Sequence, residues 1–155
     1  MNPYASFLGS SNALEVIAGT PSQLEAVVDR LSEAELNRTP APGKWSIREV
    51  ICHLADCEIV FAFRIRQALA EDDHVIQPFD QGLWGGTYGA YSAKQALQTF
   101  TAVRQWNLSL VKTLPEAAFE RPLSHPERGP MVLRTVIETM GGHDRNHLGQ
   151  IERMI

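Results

Sequence analysis

Residues 133–154 read LRTVIETMGGHDRNHLGQIERM, and this stretch is the starting point for both the fold and the candidate site. Apolar residues recur at spacings of three and four, the period of an amphipathic helix; they are Leu133, Val136, Ile137, Met140, Leu148, Ile151 and Met154. His143 and His147 lie one turn apart on the same face, a spacing that lets two imidazoles reach one metal ion. Both fall inside the apolar stripe. Two structural histidines, hydrogen-bonded in the core to backbone or carboxylates, would show the same pattern. A third candidate ligand elsewhere in the chain is needed to favour a metal site over this alternative.

His53 is the best candidate for that third ligand. It lies at the edge of the apolar stripe of the second predicted helix, where a lone histidine is more often structural. It is nevertheless the only other histidine that a helix would present to a bundle interior, and bundles build metal sites from facing helices. His74 and His125 lie in connections, where we expect them to be solvated. Cys52 is expected to point outward and Cys57 to be a small buried apolar residue, so neither is a good ligand candidate.

Length and composition describe an ordinary globular protein. The 155 residues suit one domain, residues 1–155, and 44% of them are hydrophobic. With 14 basic against 18 acidic residues, the balance argues against a nucleic-acid or anionic-membrane partner. No apolar run is long enough for a membrane span, and residues 1–14 lack the features of a signal peptide. Two cysteines five apart on a helix point away from each other, so we expect no disulfide and a cytoplasmic location.

Helical periodicity predicts four long helices and no strand. The first covers residues 14–31 in two pieces broken near Gly19, because Thr20-Pro21 reads as a new helix start. The second helix begins with a capping box at Ser46 and ends near residues 71–73. The third begins at Ser92, and the fourth is the stretch quoted above. Four amphipathic helices around one core predict an all-α four-helix bundle.

Residues 38–44 connect the first helix to the second, and two longer connections, residues 74–91 and 115–130, follow the second and third helices. The first of the two longer connections contains one proline and four glycines and reads as a single long loop. A structureless loop of this length in a compact domain is usually functional or disordered. Its aromatic residues need burial, so we expect residues 78–84 to form a wall or lid over the site.

The chain resembles the DinB/YfiT-like family of metalloenzymes. The motifs that carry the resemblance are residues 43–49 (GKWSIRE) running into residues 53–56 (HLAD), residues 77–84 (QPFDQGLW), His125-Pro126, and residues 143–151 (HDRNHLGQI). The resemblance implies an up-down-down-up helix bundle with a divalent metal on His53, His143 and His147. Characterised relatives include bacillithiol transferases and a mycothiol-dependent isomerase, which use low-molecular-weight thiols. Members are often dimers, so a homodimer is also expected.

Three polar residues are candidates for supporting the histidines. Glu58 and Asp144 project onto apolar helix faces, where an unpaired carboxylate is costly. Each could accept the free N–H of an imidazole ligand and fix its tautomer, or it could extend to solvent at the end of the bundle or pair with an arginine such as Arg64 or Arg104. Gln150 lies one turn past His147 and could hydrogen-bond a water at the ion. The sequence leaves these roles open.

We therefore expect a metal-dependent enzyme with a three-histidine site, holding zinc or nickel before iron or manganese. Three neutral ligands leave the cation its charge and an open position, which is the pattern of a catalytic centre. The leading function is transfer of a low-molecular-weight thiol to a small-molecule electrophile, because no base stands out for activating water. A metal-dependent hydrolase is the enzymatic alternative. A metal-binding or stress-response protein without turnover, or an interaction module with a vestigial site, are the non-enzymatic ones.

Overall fold

The computed structural model describes residues 2–155. Helices α2 (Ala13–Arg30), α4 (Ile47–Ala70), α6 (Ala93–Val111) and α7 (Leu133–Glu152) are long, and α1 (Ala5–Leu8), α3 (Glu33–Asn37) and α5 (Gln81–Gly85) are short. Strands β1 (His74–Val75), β2 (Pro122–His125) and β3 (Gly129–Val132) form one small sheet, and two 3-10 turns lie at Tyr88–Ala90 and Glu116–Glu120. The helices α2 and α4 each pack against both α6 and α7. The predicted all-α four-helix bundle is confirmed.

The bundle has two apolar clusters, one toward each end. One contains residues such as Phe61, Ile65 and Met140, and the other contains residues such as Leu54 and Phe100. Along α4 and along α7 the change from one cluster to the other falls where the candidate histidines lie. The polar site is therefore enclosed by apolar core on both sides. In the described part of the chain, no helix is both long and apolar enough to cross a membrane.

Helix starts agree with the capping predicted from the sequence. The Ser46 side chain accepts from the backbone N–H of Glu49, and the Glu49 carboxylate accepts from the backbone N–H of Ser46. Ser92 and Gln95 form the same reciprocal box at the start of α6. Each box satisfies two backbone donors that a helix start leaves free.

The predicted break in the first helix is wrong, because α2 continues through Pro21. Proline lacks the N–H that would bond the carbonyl four residues earlier. That carbonyl belongs to Ile17, and the Arg104 guanidinium donates to it at 2.7 Å. The Thr20 hydroxyl donates to Asp144 at 2.7 Å rather than capping a new helix. A buried partner from α6 therefore supplies the hydrogen bond that the proline removes.

The prediction of no strands is also wrong. β2 pairs antiparallel with β3, with His125 opposite Gly129, and β1 pairs parallel with β2. Leu123 and His125 are buried while Pro122 is exposed, which is the alternation of a strand with one covered face. Strands of two to four residues are too short for that period to stand out in a sequence. The sheet and α5 also divide the two connections that the sequence predicted to be irregular.

Gly141 and Gly142 lie where α1 crosses α7. A Cβ built on Gly142 would stand 2.7 Å from the Tyr4 Cβ, and one on Gly141 would stand 3.1 Å from a methyl of Leu8. Only glycine allows the N-terminal segment this close to the helix. The close approach holds Tyr4 against the His143 imidazole, with ring centroids 5.1 Å apart in an edge-on arrangement.

Candidate metal centre

The three predicted ligands come together inside the bundle. His53 comes from α4, and His143 and His147 come from successive turns of α7. The Nε2 atoms of His53 and His143 are 3.1 Å apart. The His147 ring lies 4.8 Å from that of His53 and 4.5 Å from that of His143, measured between centroids. All three side chains are buried.

Burial keeps these imidazoles neutral. It lowers the pKa of His53 to about 3, with a further contribution from the charge of a protonated His147. Burial also lowers the pKa of His143, helped by His147 and His53, and lowers that of His147. An imidazole must be neutral to bind a metal ion. The three rings are therefore in the protonation state that a cation needs.

The residue that hydrogen-bonds an imidazole is Gln150, rather than one of the carboxylates that the sequence suggested. The Nδ1 of His147 lies 2.8 Å from the Gln150 Oε1, so an Nδ1–H that donates to this amide leaves Nε2 free for a ligand. Gln150 thus holds an imidazole directly. The Nδ1 of His143 is buried without a hydrogen-bond partner among residues 2–155. Trp45 packs on His53 with ring centroids 4.9 Å apart.

Glu58 and Asp144 do not bond the histidines; both bind Arg104, one of the alternatives that the sequence left open. Arg104 donates to Asp144 at 2.6 and 3.1 Å and to Glu58 at 2.7 Å. Asn107 donates to the other Glu58 oxygen at 2.7 Å, and Thr20 completes the set at Asp144. All of these groups are buried. One buried guanidinium thus pairs with two buried carboxylates, through the same two terminal nitrogens of which one also donates to the Ile17 carbonyl.

Cys57 belongs to the site, which the sequence reasoning missed. Its Sγ lies 3.5 Å from the Nε2 of His53, and His53, Cys57 and His143 each offer a ligand atom within 4.8 Å of the others. Burial raises the pKa of the Cys57 thiol. The spacing of four from His53 was the available signal, because it puts both side chains on one face of α4. Cys52 is buried in the core rather than pointing outward, and both cysteines are free.

A cavity of about 540 Å³ opens beside Cys57 and His143. Residues 78–81 line it, so this part of the predicted wall over the site is confirmed. Trp84 stands behind the wall and packs on Phe79 with ring centroids 4.7 Å apart. The expectation for His125 is wrong: β2 carries it into the cavity wall, where it is 4% exposed. His74 is half-buried and pairs with Glu71 at 2.6 Å, away from the site.

The donor set fits a divalent metal ion. Two imidazole nitrogens, each about 2.0–2.1 Å from one ion at angles of about 90–110°, would be roughly 2.8–3.4 Å apart. The separation of 3.1 Å between His53 and His143 falls inside that range. Two nitrogens this close, with a third imidazole and a thiol beside them, form the kind of set that suits zinc, nickel or iron.

Comparison with known proteins gives the class that this fold and site define. The family model described as the DinB superfamily matches residues 17–151. The chain therefore belongs to the DinB superfamily, as its motifs predicted.

Similar proteins agree with that assignment. A "putative metal-dependent hydrolase" of Oceanobacillus iheyensis is 29% identical over 136 residues, which are 87% of this chain and 79% of the relative. The "putative metal-dependent hydrolase YfiT" of Bacillus subtilis is 23% identical over 144 residues, 91% of this chain and 81% of the relative. The solved YfiT structure, described as a four-helix bundle of unusual topology, matches with a TM-score of 0.85 over 92% of this chain and 83% of that chain, at 22% identity.

The fold extends to one protein that is named for a thiol. A crystal structure of a mycothiol-dependent maleylpyruvate isomerase matches with a TM-score of 0.72 at 10% identity, over 90% of this chain and 59% of that chain. At this identity the match shows a shared fold.

Proposed function

We propose that this protein transfers a low-molecular-weight thiol to a small electrophile at a metal ion held by His53, His143 and His147. The observation that carries the proposal is the position of the acidic groups. Both inward carboxylates, Glu58 and Asp144, are bound to Arg104. Among the described residues, neither of these two interior carboxylates is left free to take a proton from water, whereas a thiol has a free pKa of about 8.5 and needs less help.

The chain's own residues prepare the site for this chemistry. Neutral His53 and His143 offer two nitrogens 3.1 Å apart, and Gln150 holds His147 for the third. When bound, a divalent cation supplies Lewis acidity that lowers the pKa of a thiol reaching it. Tyr4 and Phe61 pack against the His143 ring, and all three side chains line the cavity through which a small molecule would reach the ion. In the transfer, a bond forms from sulfur to the electrophilic carbon, the leaving group departs with its electron pair, and the thiol proton passes to solvent.

Metal content tests the ligand set. His53→Ala, His143→Ala and His147→Ala should each lose most bound zinc or nickel, measured by elemental analysis after purification. His74→Ala is the matched control, because His74 lies away from the site, and it should keep its metal. Full metal occupancy in the His53→Ala protein, with His143→Ala depleted, would exclude the three-histidine assignment.

Cobalt spectroscopy tests the thiol proposal. Sulfur coordination adds a charge-transfer band to the spectrum of a cobalt-substituted protein, so the band should be absent at first and appear when a small thiol is added. Cys57→Ser is the control, since Cys57 is the protein's own sulfur closest to the imidazoles. A band that is present before thiol addition and disappears in Cys57→Ser would mean that Cys57 closes the site, and the transferase proposal would fail.

A metal-dependent hydrolase is the second candidate, favoured by the names of the similar proteins. Its base would have to come from the cavity wall, which includes Asp80 and Glu127. The Asp80 carboxylate caps α5 by accepting from the N–H groups of Gly82 and Leu83, which leaves Glu127. Hydrolysis of an ester or amide that is lost in Glu127→Gln, without a thiol band in the cobalt protein, would favour this candidate.

The cavity supports an enzyme over a metal-binding protein without turnover or an interaction module. Residues 78–81 form its wall and leave about 540 Å³ open beside His143. That volume is in the range of small-molecule sites. The homodimer and the cytoplasmic location stay predictions.

A further inference from the structure

Two arginines share the cavity with the metal centre. Arg64 comes from α4 and Arg128 from the turn between β2 and β3, and both line the cavity beside His143. The Arg64 guanidinium lies 6.0 Å from the ring centroids of both Phe61 and Phe79. At this distance both ring faces attract the guanidinium, and that interaction does not use its N–H groups.

Neither guanidinium has a carboxylate partner. Within residues 2–155, no salt bridge or side-chain hydrogen bond involves Arg64 or Arg128, and the Arg64 Nε is buried without a partner. Arg104, by contrast, binds two carboxylates. Asp80 and Glu127 also line the cavity, but the first caps α5 and the second is exposed at the rim.

The positive charge of Arg128 affects the pKa values of other residues that line the cavity. After burial, it is the largest influence that lowers the pKa of Arg64 and the pKa of His125. Burial raises the pKa of Tyr4, which also lines the cavity, and the charge of Arg128 opposes that rise. His125 adds no positive charge of its own when its pKa is lowered. Two unpaired guanidinium groups in a small cavity repel each other and favour an anion between them.

We propose that the substrate carries a carboxylate, which Arg64 and Arg128 bind while the reacting end of the molecule reaches the histidine cluster. This rests on the proposed thiol transfer, and it names the chemical class of the thiol or of its electrophile. The guanidinium fork matches the two oxygens of a carboxylate. Asp80 and Glu127 in the same wall favour a monoanion over a doubly charged phosphate.

The cavity also limits the size of this molecule. The Phe61 ring is 6.0 Å from the Arg64 Cζ and 6.0 Å from the His143 ring. The two groups are therefore at most twice that distance apart, about 12 Å. Part of this distance is taken up by the contact between carboxylate and guanidinium and by the bond to an ion at the histidine cluster. The rest has room for a chain of a few carbons.

Binding of a matched pair of thiols tests the proposal. 3-Mercaptopropionate and its methyl ester differ in the carboxylate alone. Calorimetric titration of the cobalt-substituted protein should give binding of the acid about tenfold tighter than binding of the ester, the size expected for one charge-assisted contact. Arg64→Gln and Arg128→Gln should each remove most of that difference. Arg30→Gln is the control, because Arg30 is exposed at the end of α2, outside the cavity lining, and it should leave the difference unchanged.

The outcomes separate this proposal from the function on which it rests. Equal binding of acid and ester to the wild type overturns the carboxylate site, while a cobalt–sulfur band with both ligands keeps the thiol function. Tight binding of the acid without that band keeps the carboxylate site and overturns the thiol function.

Arg128 is exposed, so Arg128→Gln should fold even if Arg64→Gln does not. If Arg128→Gln still binds the acid more tightly than the ester, the assignment of Arg128 to the carboxylate site is refuted. If inorganic phosphate competes with the acid more strongly than acetate does, the choice of a carboxylate is refuted.

Discussion

Gly142 anchors the N-terminal segment beside the candidate metal centre, and Gly142→Ala should release it. The new Cβ would stand 2.7 Å from the Tyr4 Cβ and 3.0 Å from the Tyr4 carbonyl carbon. The Tyr4 carbonyl cannot move freely, because it accepts from the backbone N–H groups of Phe7 and Leu8 at 3.0 and 3.1 Å. The added methyl therefore has to displace α1 or distort α7.

Comparison with Gly149, a second glycine of α7, gives the size of the expected loss of stability. Replacing a helical glycine with alanine stabilises a helix by about 1 kcal/mol, and this gain is common to Gly142→Ala and Gly149→Ala. The Cβ of Gly149→Ala would meet only the flexible end of Arg153, at 3.5 Å. Overpacking against fixed backbone costs about 1–3 kcal/mol. Because the helical gain cancels, the two variants should differ by about 1–3 kcal/mol, with Gly142→Ala the less stable.

Urea unfolding of both metal-free variants, followed by far-ultraviolet circular dichroism, measures that difference. Hydrogen exchange should also be faster at the α1 amides in Gly142→Ala, because Leu8 would leave its buried position. Since Tyr4 packs on the His143 ring, metal release should be faster too. Equal stability of the two variants would refute the anchoring role of Gly142, and so would unchanged exchange at α1.

Three further outcomes test the site and its support. Arg104→Leu should destabilise the protein by about 3–5 kcal/mol in urea unfolding, because it leaves Glu58 and Asp144 buried without their cation; a loss below about 1 kcal/mol would contradict this. The folded-state pKa of His53 is about 3 against an ordinary 6.5, so the unfolded chain binds the proton first and stability falls as pH drops from 6.5 toward 3. At pH 5 this linkage is worth about 2 kcal/mol in the metal-free protein, and a His53→Gln variant with the same loss between pH 7 and pH 5 would argue against it. Trp84 fluorescence should change when metal is removed or when a ligand enters the cavity, because Trp84 packs on the cavity wall; a spectrum that changes with neither would separate Trp84 from the site.

Local sequence determined the four long helices and the spacing of the pair of histidines. A capping box needs only residues three apart, so Ser46 with Glu49 and Ser92 with Gln95 could be recognised from the chain alone. The spacing of His143 and His147 is likewise a property of one helix. His53 could be added because its own helix presents it inward.

Tertiary structure decided every feature that depends on a partner distant in the chain. Pro21 reads as a helix start until Arg104, 83 residues later, supplies the missing hydrogen bond to Ile17. Glu58 and Asp144 had several possible partners, and only the position of α6, which carries Arg104, selected this arginine.

Cavity residues were hidden for the same physical reason. His125 reads as a loop residue, because a four-residue strand shows its alternation only once it is paired. Cys57 reads as a small apolar residue until His53 and His143 stand beside it. Hydrophobic periodicity specifies which face of an element turns inward, whereas the contacts among inward groups depend on how the elements pack. The fold and the clustering of the three histidines could therefore be predicted, while the position of Cys57 beside them and the two arginines of the cavity required the tertiary structure.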